Sequence, residues 1–246
     1  MSHEGTPLCT DGGACARLRP GRHETEVLVD AGGTDRQRAA VLAHALDHVG
    51  VTEFSVWVDQ PGGHFDDIAA RHGLACIRDL LQLRIALPIT ETTDLSTRPY
   101  RPGEDDEAWL RVNNRAFAWH REQGRLTQAD LDERYLEDWF DPAGFLLFEE
   151  DDRLLGFCWT KVHHDEDPPV GEIFAIAADP DAQGRGLGRA LVTAGLEHLA
   201  GLGLTKGMLF VDADNGPARA LYDRMGFEVD IRRRLYLPEH DMVATA

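Results

Sequence analysis

The chain predicts an α/β protein with a mixed sheet, and three observations predict it. Residues 172–201 read as a strand, a glycine-rich turn and a helix in direct succession. From residue 98 onward the elements run as two helices, three strands, helix, strand, helix and strand, the order of a sheet covered by helices. An internal repeat adds to this. Val56–Leu74 and Leu209–Phe227 each carry Val-Asp followed, at the same distance, by Gly and a bulky apolar residue.

Residues 1–23 are rich in Gly, Arg and Pro without periodicity and are expected to lack order. A first unit spans 24–90. Glu26–Val29 reads as a short strand, and Thr34 as the cap of a helix through Val49. Its apolar residues (Ala39, Val41, Leu42, Ala45, Leu46, Val49) recur at helical spacing. Phe54–Val58 is a strand, His64–His72 a short helix and Leu80–Leu87 a strand. A linker over 91–97 leads to a second unit, 98–240. Its helices are 105–117 and 128–139. A hairpin follows, 145–149 and 154–162, around the acidic turn Glu150-Asp151-Asp152-Arg153. The apolar run Ile173–Ala178 is a buried strand that Asp179-Pro180 ends. Helix 188–201, strand 208–212, helix 216–225 and strand 227–237 complete the chain. By the repeat, the first unit is the back half of the same fold, a partial, degenerate copy without the front strands or the glycine loop.

Composition sets the outer bounds. At 246 residues the chain can bury one large core or two small ones. A net charge of −18 argues against nucleic acid and anionic membranes as partners. No run approaches the roughly 20 apolar residues of a membrane span. The first residues show no basic head followed by an apolar stretch, so no secretory signal is expected. The four cysteines lack zinc spacing, and Cys158, in mid-strand, reads as a small buried hydrophobe. A reduced, cytoplasmic protein is the simplest account. His163-His164-Asp165 reads as a polar strand end or loop, and no metal is expected.

The chemistry centres on Gln183-Gly184-Arg185-Gly186-Leu187-Gly188-Arg189. Glycines between a strand and a helix let backbone N–H groups converge on one spot, and the helix N-terminus adds partial positive charge. Such a site suits a phosphate or pyrophosphate. The spacing is neither the Walker loop nor the dinucleotide fingerprint. It resembles the acetyl-CoA pyrophosphate loop of the GNAT N-acetyltransferases, Q/R-x-x-G-x-G/A. The resemblance implies the GNAT fold, with acetyl-CoA as co-substrate. Ile176, Ala177 and Ala178 would then supply backbone donors where their strand splays from its neighbour.

Acetyl transfer to an amine also needs a route for two protons. An α-amino group, with a pKa near 8, needs only modest help at neutral pH. Glu172, at the start of the strand, is the best-placed carboxylate to give it. A phenol of pKa near 10 can protonate a departing thiolate, and Tyr222 lies in Asn215-Gly-Pro-Ala-Arg-Ala-Leu-Tyr-Asp-Arg-Met-Gly-Phe. GNAT enzymes commonly carry this signature, with the Tyr hydroxyl near the CoA sulfur. Asn215 would cap the helix, and Asn215, Ala218, Arg219 and Ala220 would touch the CoA arm.

A closer match lies upstream. Asn113-Asn114-Arg115-Ala116-Phe117, His120, Glu122-Gln123-Gly124, Trp139-Phe140-Asp141-Pro142, Gly156-Phe157-x-Trp159-Thr160-Lys161-Val162-His163 and Gly171-Glu172 resemble the mycothiol synthases. That resemblance covers residues 98–237 in register. It implies a tandem GNAT protein whose C-terminal domain acetylates the cysteinyl amine of Cys-GlcN-Ins. By position, Glu122, Lys161 and Glu172 would contact that acceptor, with a buried Lys–Glu pair orienting its hydroxyls. Phe210 stands where the family has a substrate-facing Tyr. A GNAT enzyme for another small-molecule amine, or a non-catalytic CoA-binding module, remains the alternative at this point.

Overall fold

The structure, a computed structural model, describes residues 5–20, 25–30, 32–49, 54–62, 65–120 and 123–239. The elements, in chain order, are β1 (Thr6–Asp11), β2 (Ala14–Pro20), β3 (Thr25–Val29), α1 (Asp35–Val49), β4 (Phe54–Asp59), α2 (Phe65–Arg71) and β5 (Leu74–Ala86). Then come β6 (Arg98–Pro99), α3 (Asp106–Ala116), α4 (Gln128–Tyr135), β7 (Phe145–Glu150), β8 (Arg153–His163) and β9 (Val170–Ala178). Last are α5 (Leu187–Gly201), β10 (Lys206–Asp212), α6 (Gly216–Arg224) and β11 (Glu228–Pro238). The chain forms two compact units, Met1–Leu83 with Phe210–Ala246, and Arg84–Leu209. The division falls inside β5 and β10, and the linker 91–97 lies within the second unit.

In the first unit the strand order is β1-β2-β3-β4-β11-β5. Three expectations are corrected here. Residues 6–20 of the N-terminal segment are not unordered: β1 and β2 pair antiparallel around Gly12 and Gly13, with φ of +52 and +101. Nor are the front strands missing, because β2 pairs antiparallel with β3 and β3 runs parallel to β4. This is the same succession of three strands, helix, strand, helix and strand as β7 to β11. The hairpin hides in sequence because its buried residues are small (Ala14, Ala16) and its other face is basic. That face is matched across strands, Arg19 to Glu26 and Arg17 to Asp30. Asp11-Gly12-Gly13 was the available signal, a tight-turn sequence that accepts positive φ. The third correction concerns the chain's end. β11 pairs antiparallel with β4, Leu235 opposite Trp57, so residues from 210 on build the first unit. Val27, Val29, Val56, Val58, Leu42, Phe65 and Tyr236 form its core.

This unit's own turn after β3 is closed by protein. A Cβ on Gly32 would lie 2.0 Å from the Gly13 carbonyl oxygen. Thr34 caps α1, as expected: its hydroxyl accepts from Gln37 N while Gln37 Oε1 accepts from Thr34 N.

In the second unit the order is β10-β9-β8-β7-β6. One face of β8 carries Phe157 and Trp159 into an aromatic core with Trp109, Phe145 and Tyr100; Phe145 stacks on Trp159 at 4.3 Å. α4 ends at Tyr135, short of the expected Trp139, because Trp139 and Phe140 turn inward to meet Phe174 and Trp159. α5 lies close on β8 and β9: a Cβ on Gly195 would stand 2.4 Å from Cys158 Sγ. Burial pushes the Cys158 thiol up to about 12, consistent with a small apolar filler. At the start of α3, Arg98 donates to both oxygens of Asp105 at 2.7 and 2.8 Å. Asp106 accepts from Tyr100, Tyr135, Gln128 and Gly103 N. Among the described residues no helix is long and apolar enough to cross a membrane.

Candidate active site

β9 organises the site in the second unit. Its antiparallel ladder with β8 runs from Val170 to Ala178. Its parallel pairing with β10 sets Gly171, Glu172 and Ile173 opposite Gly207, Met208 and Leu209. Beyond Ile173, Phe174 to Ala178 change from buried to half-buried. A register shift opposite Trp159 and Thr160 falls at the same place. Ile176 to Ala178, where the sequence predicts a splay, are half-buried.

Asp179 closes the strand. It is 2% exposed, and its Oδ1 accepts from Asp181 N at 2.9 Å. Its Oδ2 accepts from Arg115 Nη1 at 2.9 Å, so the last turn of α3 is tied to the end of β9. A short turn, Pro180–Ala182, then releases Gln183, Gly184, Arg185 and Gly186 to the surface. Gly184 and Gly186 have φ of +76 and +79, a conformation that disfavours any side chain, and the space before both is open. Gly186 is the N-cap of α5 and supplies no side-chain cap. The first-turn N–H groups, from Leu187, Gly188 and Arg189, are thus left for solvent or an anion. Both arginines of the loop already hold carboxylates. Arg185 donates to Glu150 at 2.8 and 2.7 Å, and Arg189 to Glu91 at 2.5 and 2.7 Å. The arginine hydrogen bonds hold both carboxyls below the usual range.

At its other end, β9 carries Glu172, 6% exposed. The expected Glu172–Lys161 pair does not form. The two residues lie opposite each other across β8 and β9, but Glu172 Oε2 is hydrogen-bonded to His163 Nε2 at 2.6 Å. Lys161 Nζ lies 4.6 Å from the centre of the Trp139 ring, a cation–π contact. Trp139 also meets Phe174 at 4.8 Å, with Arg134 on the far ring at 5.6 Å. His163 is the residue that sequence reasoning missed. It shares a face of β8 with Lys161, two residues on, and reaches Glu172 diagonally across the ladder.

Glu122 lies outside the described residues. The strings around it have clear local jobs. Asn113 Nδ2 donates to the Gln123 carbonyl at 2.7 Å, and Asn114 exchanges hydrogen bonds with the backbone of Leu126. The Asn-Asn pair thus holds the loop after α3 by its backbone.

The remaining expected residues belong to the first unit. Asn215 caps α6 as predicted, its side chain accepting from Ala218 N at 3.2 Å. Arg219 donates to the Ala213 carbonyl at 2.8 Å, while Ala220 is exposed. Tyr222 is buried against Phe227, ring centres 5.6 Å apart. Phe210 is half-buried, with the Arg233 guanidinium 6.0 Å over its ring. Arg233 also pairs with Asp59 at 2.8 Å.

Among the described residues no group of three or more His, Cys, Asp or Glu is arranged to hold a metal. Residues 108–227 match the model of the acetyltransferase (GNAT) family. A mycothiol acetyltransferase of Kocuria rhizophila is 44% identical over 227 residues, 85% of this chain and 74% of that one. One of Streptomyces coelicolor is 46% identical over 223 residues, 85% and 70% of the two chains. Among solved structures, a GCN5-related N-acetyltransferase of Sphaerobacter thermophilus superposes with a TM-score of 0.64 at 22% identity. It matches 91% of this chain and 76% of its own. A tandem GNAT protein from the clavulanic acid biosynthesis pathway gives 0.57 at 16% identity over 91% and 78% of the two chains. These two show the fold alone.

Proposed function

The chain belongs to the mycothiol acetyltransferase family of GNAT enzymes, and from that premise we propose that it acetylates the cysteinyl amine of Cys-GlcN-Ins with acetyl-CoA. The observation that carries the reading is β9 itself. One strand bears a buried carboxylate at its start and an open, uncapped glycine loop just past its end.

Gln183 to Arg189 would take the pyrophosphate through first-turn N–H groups, with Arg185 and Arg189 leaving their carboxylates for it. The pantetheine arm would lie along the free side of Ile176, Ala177 and Ala178, whose amides polarise the thioester carbonyl. Asn215, Ala218, Arg219 and Ala220 would hold the arm from α6. Acetyl-CoA supplies the acyl group. The acceptor nitrogen attacks the carbonyl carbon, the C–N bond forms and the C–S bond breaks. Glu172 receives the proton that the nitrogen loses, and Tyr222 gives one to the departing sulfur. The net result is one proton moved from nitrogen to sulfur, with both side chains restored by exchange with solvent. Lys161 and Glu122 would bind acceptor hydroxyls. The free thiols Cys15, Cys76 and Cys158 accord with a reducing, cytoplasmic setting, and the net charge of −18 with a small-molecule acceptor in place of nucleic acid or membrane.

The test is CoA release by the purified protein with Cys-GlcN-Ins and with a panel of simple amines and aminosugars. The cysteinyl aminosugar should give the highest kcat/KM. Release with simple amines but never with a cysteinyl aminosugar would leave the GNAT assignment standing and remove this acceptor.

A further inference from the structure

His163 and Glu172 form a dyad whose side chains are only 5% and 8% exposed, with Nε2 and Oε2 2.6 Å apart. A carboxylate buried that deeply requires a hydrogen-bonding partner, since an unsatisfied one is strongly disfavoured. The nearest cation along the strand pair, Lys161, does not serve, because its ammonium rests on the Trp139 ring. The imidazole therefore satisfies Oε2 alone. Among the described residues Oε1 has no protein partner. One oxygen is anchored and one is free.

That asymmetry matters because the terminal torsion of a glutamate is soft, with broad rather than staggered preferences. A bare buried carboxyl would sample many orientations, few of which aim a lone pair at an incoming amine. His163 is itself held on the regular β8–β9 ladder, opposite Val170, so the imidazole is a fixed reference. A second partner with a full positive charge would hold the carboxylate as firmly, yet oppose its taking a proton. The imidazole of His163 orients it through one ring N–H at a fixed place.

We propose that His163 is a positioning residue of the acetyl transfer: it anchors Oε2 of Glu172 and so aims Oε1 at the acceptor nitrogen. The proposal rests on Glu172 being the proton acceptor, as argued above. Misplacing a reacting group by about 1 Å costs up to roughly a hundredfold in rate. His163→Leu should accordingly lower kcat by about tenfold to a hundredfold, with the Kd for acetyl-CoA unchanged. His163→Gln, whose amide can still reach Oε2, should recover most of the loss, and the shorter His163→Asn should not.

The experiment compares these variants with Glu172→Gln and with the double variant His163→Leu/Glu172→Gln. Circular dichroism and acetyl-CoA titration establish that each is folded. If His163 acts through Glu172, the double variant turns over no more slowly than Glu172→Gln alone. Fully additive losses would mean that His163 is merely structural and would overturn the proposal. So would folded His163→Leu at wild-type kcat while Glu172→Gln is impaired. Wild-type kcat in Glu172→Gln would instead remove the proton acceptor itself, and the anchor with it. Should His163→Leu fail to fold, Gln and Asn decide: equal turnover in both overturns the proposal.

Discussion

Arg115 Nη1 lies 2.9 Å from Oδ2 of Asp179, and its Nη2 lies 3.1 Å from Oδ2 of Asp181. One side chain from the end of α3 thereby fixes the segment between β9 and the glycine loop. Arg115→Ala leaves Asp179, 2% exposed, short of a charged partner. An unsatisfied buried acceptor costs about 1–3 kcal/mol. We expect weaker acetyl-CoA binding, by roughly tenfold, with the acceptor KM little changed. Calorimetric titration with CoA checks it, and unchanged affinity would show that the loop holds its shape without Arg115.

Gly186→Asp should abolish CoA binding. The residue has φ of +79, so any side chain is strained there, and a carboxylate would face the pyrophosphate with like charge. One CoA per chain is expected in the wild type, bound at this loop, because the matching turn in the first unit is filled by Gly13. A stoichiometry of two, or retained affinity in the variant, would contradict this.

Tyr222→Phe should lower kcat by about a hundredfold, the usual scale for an acid–base group, and leave CoA affinity near wild type. The ring keeps its contact with Phe227, so the fold should survive. Wild-type turnover in this variant would mean that water protonates the thiolate.

Phe210→Tyr should restore a hydroxyl contact to the acceptor. A neutral hydrogen bond is worth about 0.5–1.5 kcal/mol, so KM for Cys-GlcN-Ins should fall by up to about tenfold. Initial-rate kinetics at saturating acetyl-CoA measure this. A KM that does not move would show that the acceptor never reaches position 210.

The second unit should be acid-labile through Asp105. The Arg98 hydrogen bonds hold this carboxyl below its ordinary value of 3.8. A depressed carboxylate contributes stability above its unfolded pKa and loses it as pH falls through the folded one. The melting temperature should therefore be level near neutral pH and drop below about pH 4. Arg98→Gln should cost about 1 kcal/mol at pH 7. The gap between the two melting curves should narrow as pH falls below about 4, and a gap that stays constant while the carboxyl protonates would refute the linkage.

Local signals carried most of the second unit. The run Ile173–Ala178, the Asp179 stop and the glycine turn were legible because each is a contiguous pattern with a direct backbone meaning. So were the acidic hairpin turn, the Thr34 and Asn215 caps and the buried Cys158. α4 came out too long, because helical periodicity over Trp139 and Phe140 cannot show that these rings are claimed by Trp159 and Phe174. The hairpin of β1 and β2 was overlooked because alanines on one face and arginines on the other look like a polar tail.

By itself, then, the sequence determined the α/β class, the place of the glycine turn and the place of Glu172 on the strand before it, all features written in neighbouring residues. Tertiary structure decided who partners whom. Glu172 pairs diagonally with His163 and Lys161 with Trp139, because which neighbours a side chain meets across a strand pair depends on its rotamer and on rings brought from elsewhere in the chain. Likewise, β11 joins β4 across more than half the chain, since backbone hydrogen bonding rewards a free strand edge wherever it lies.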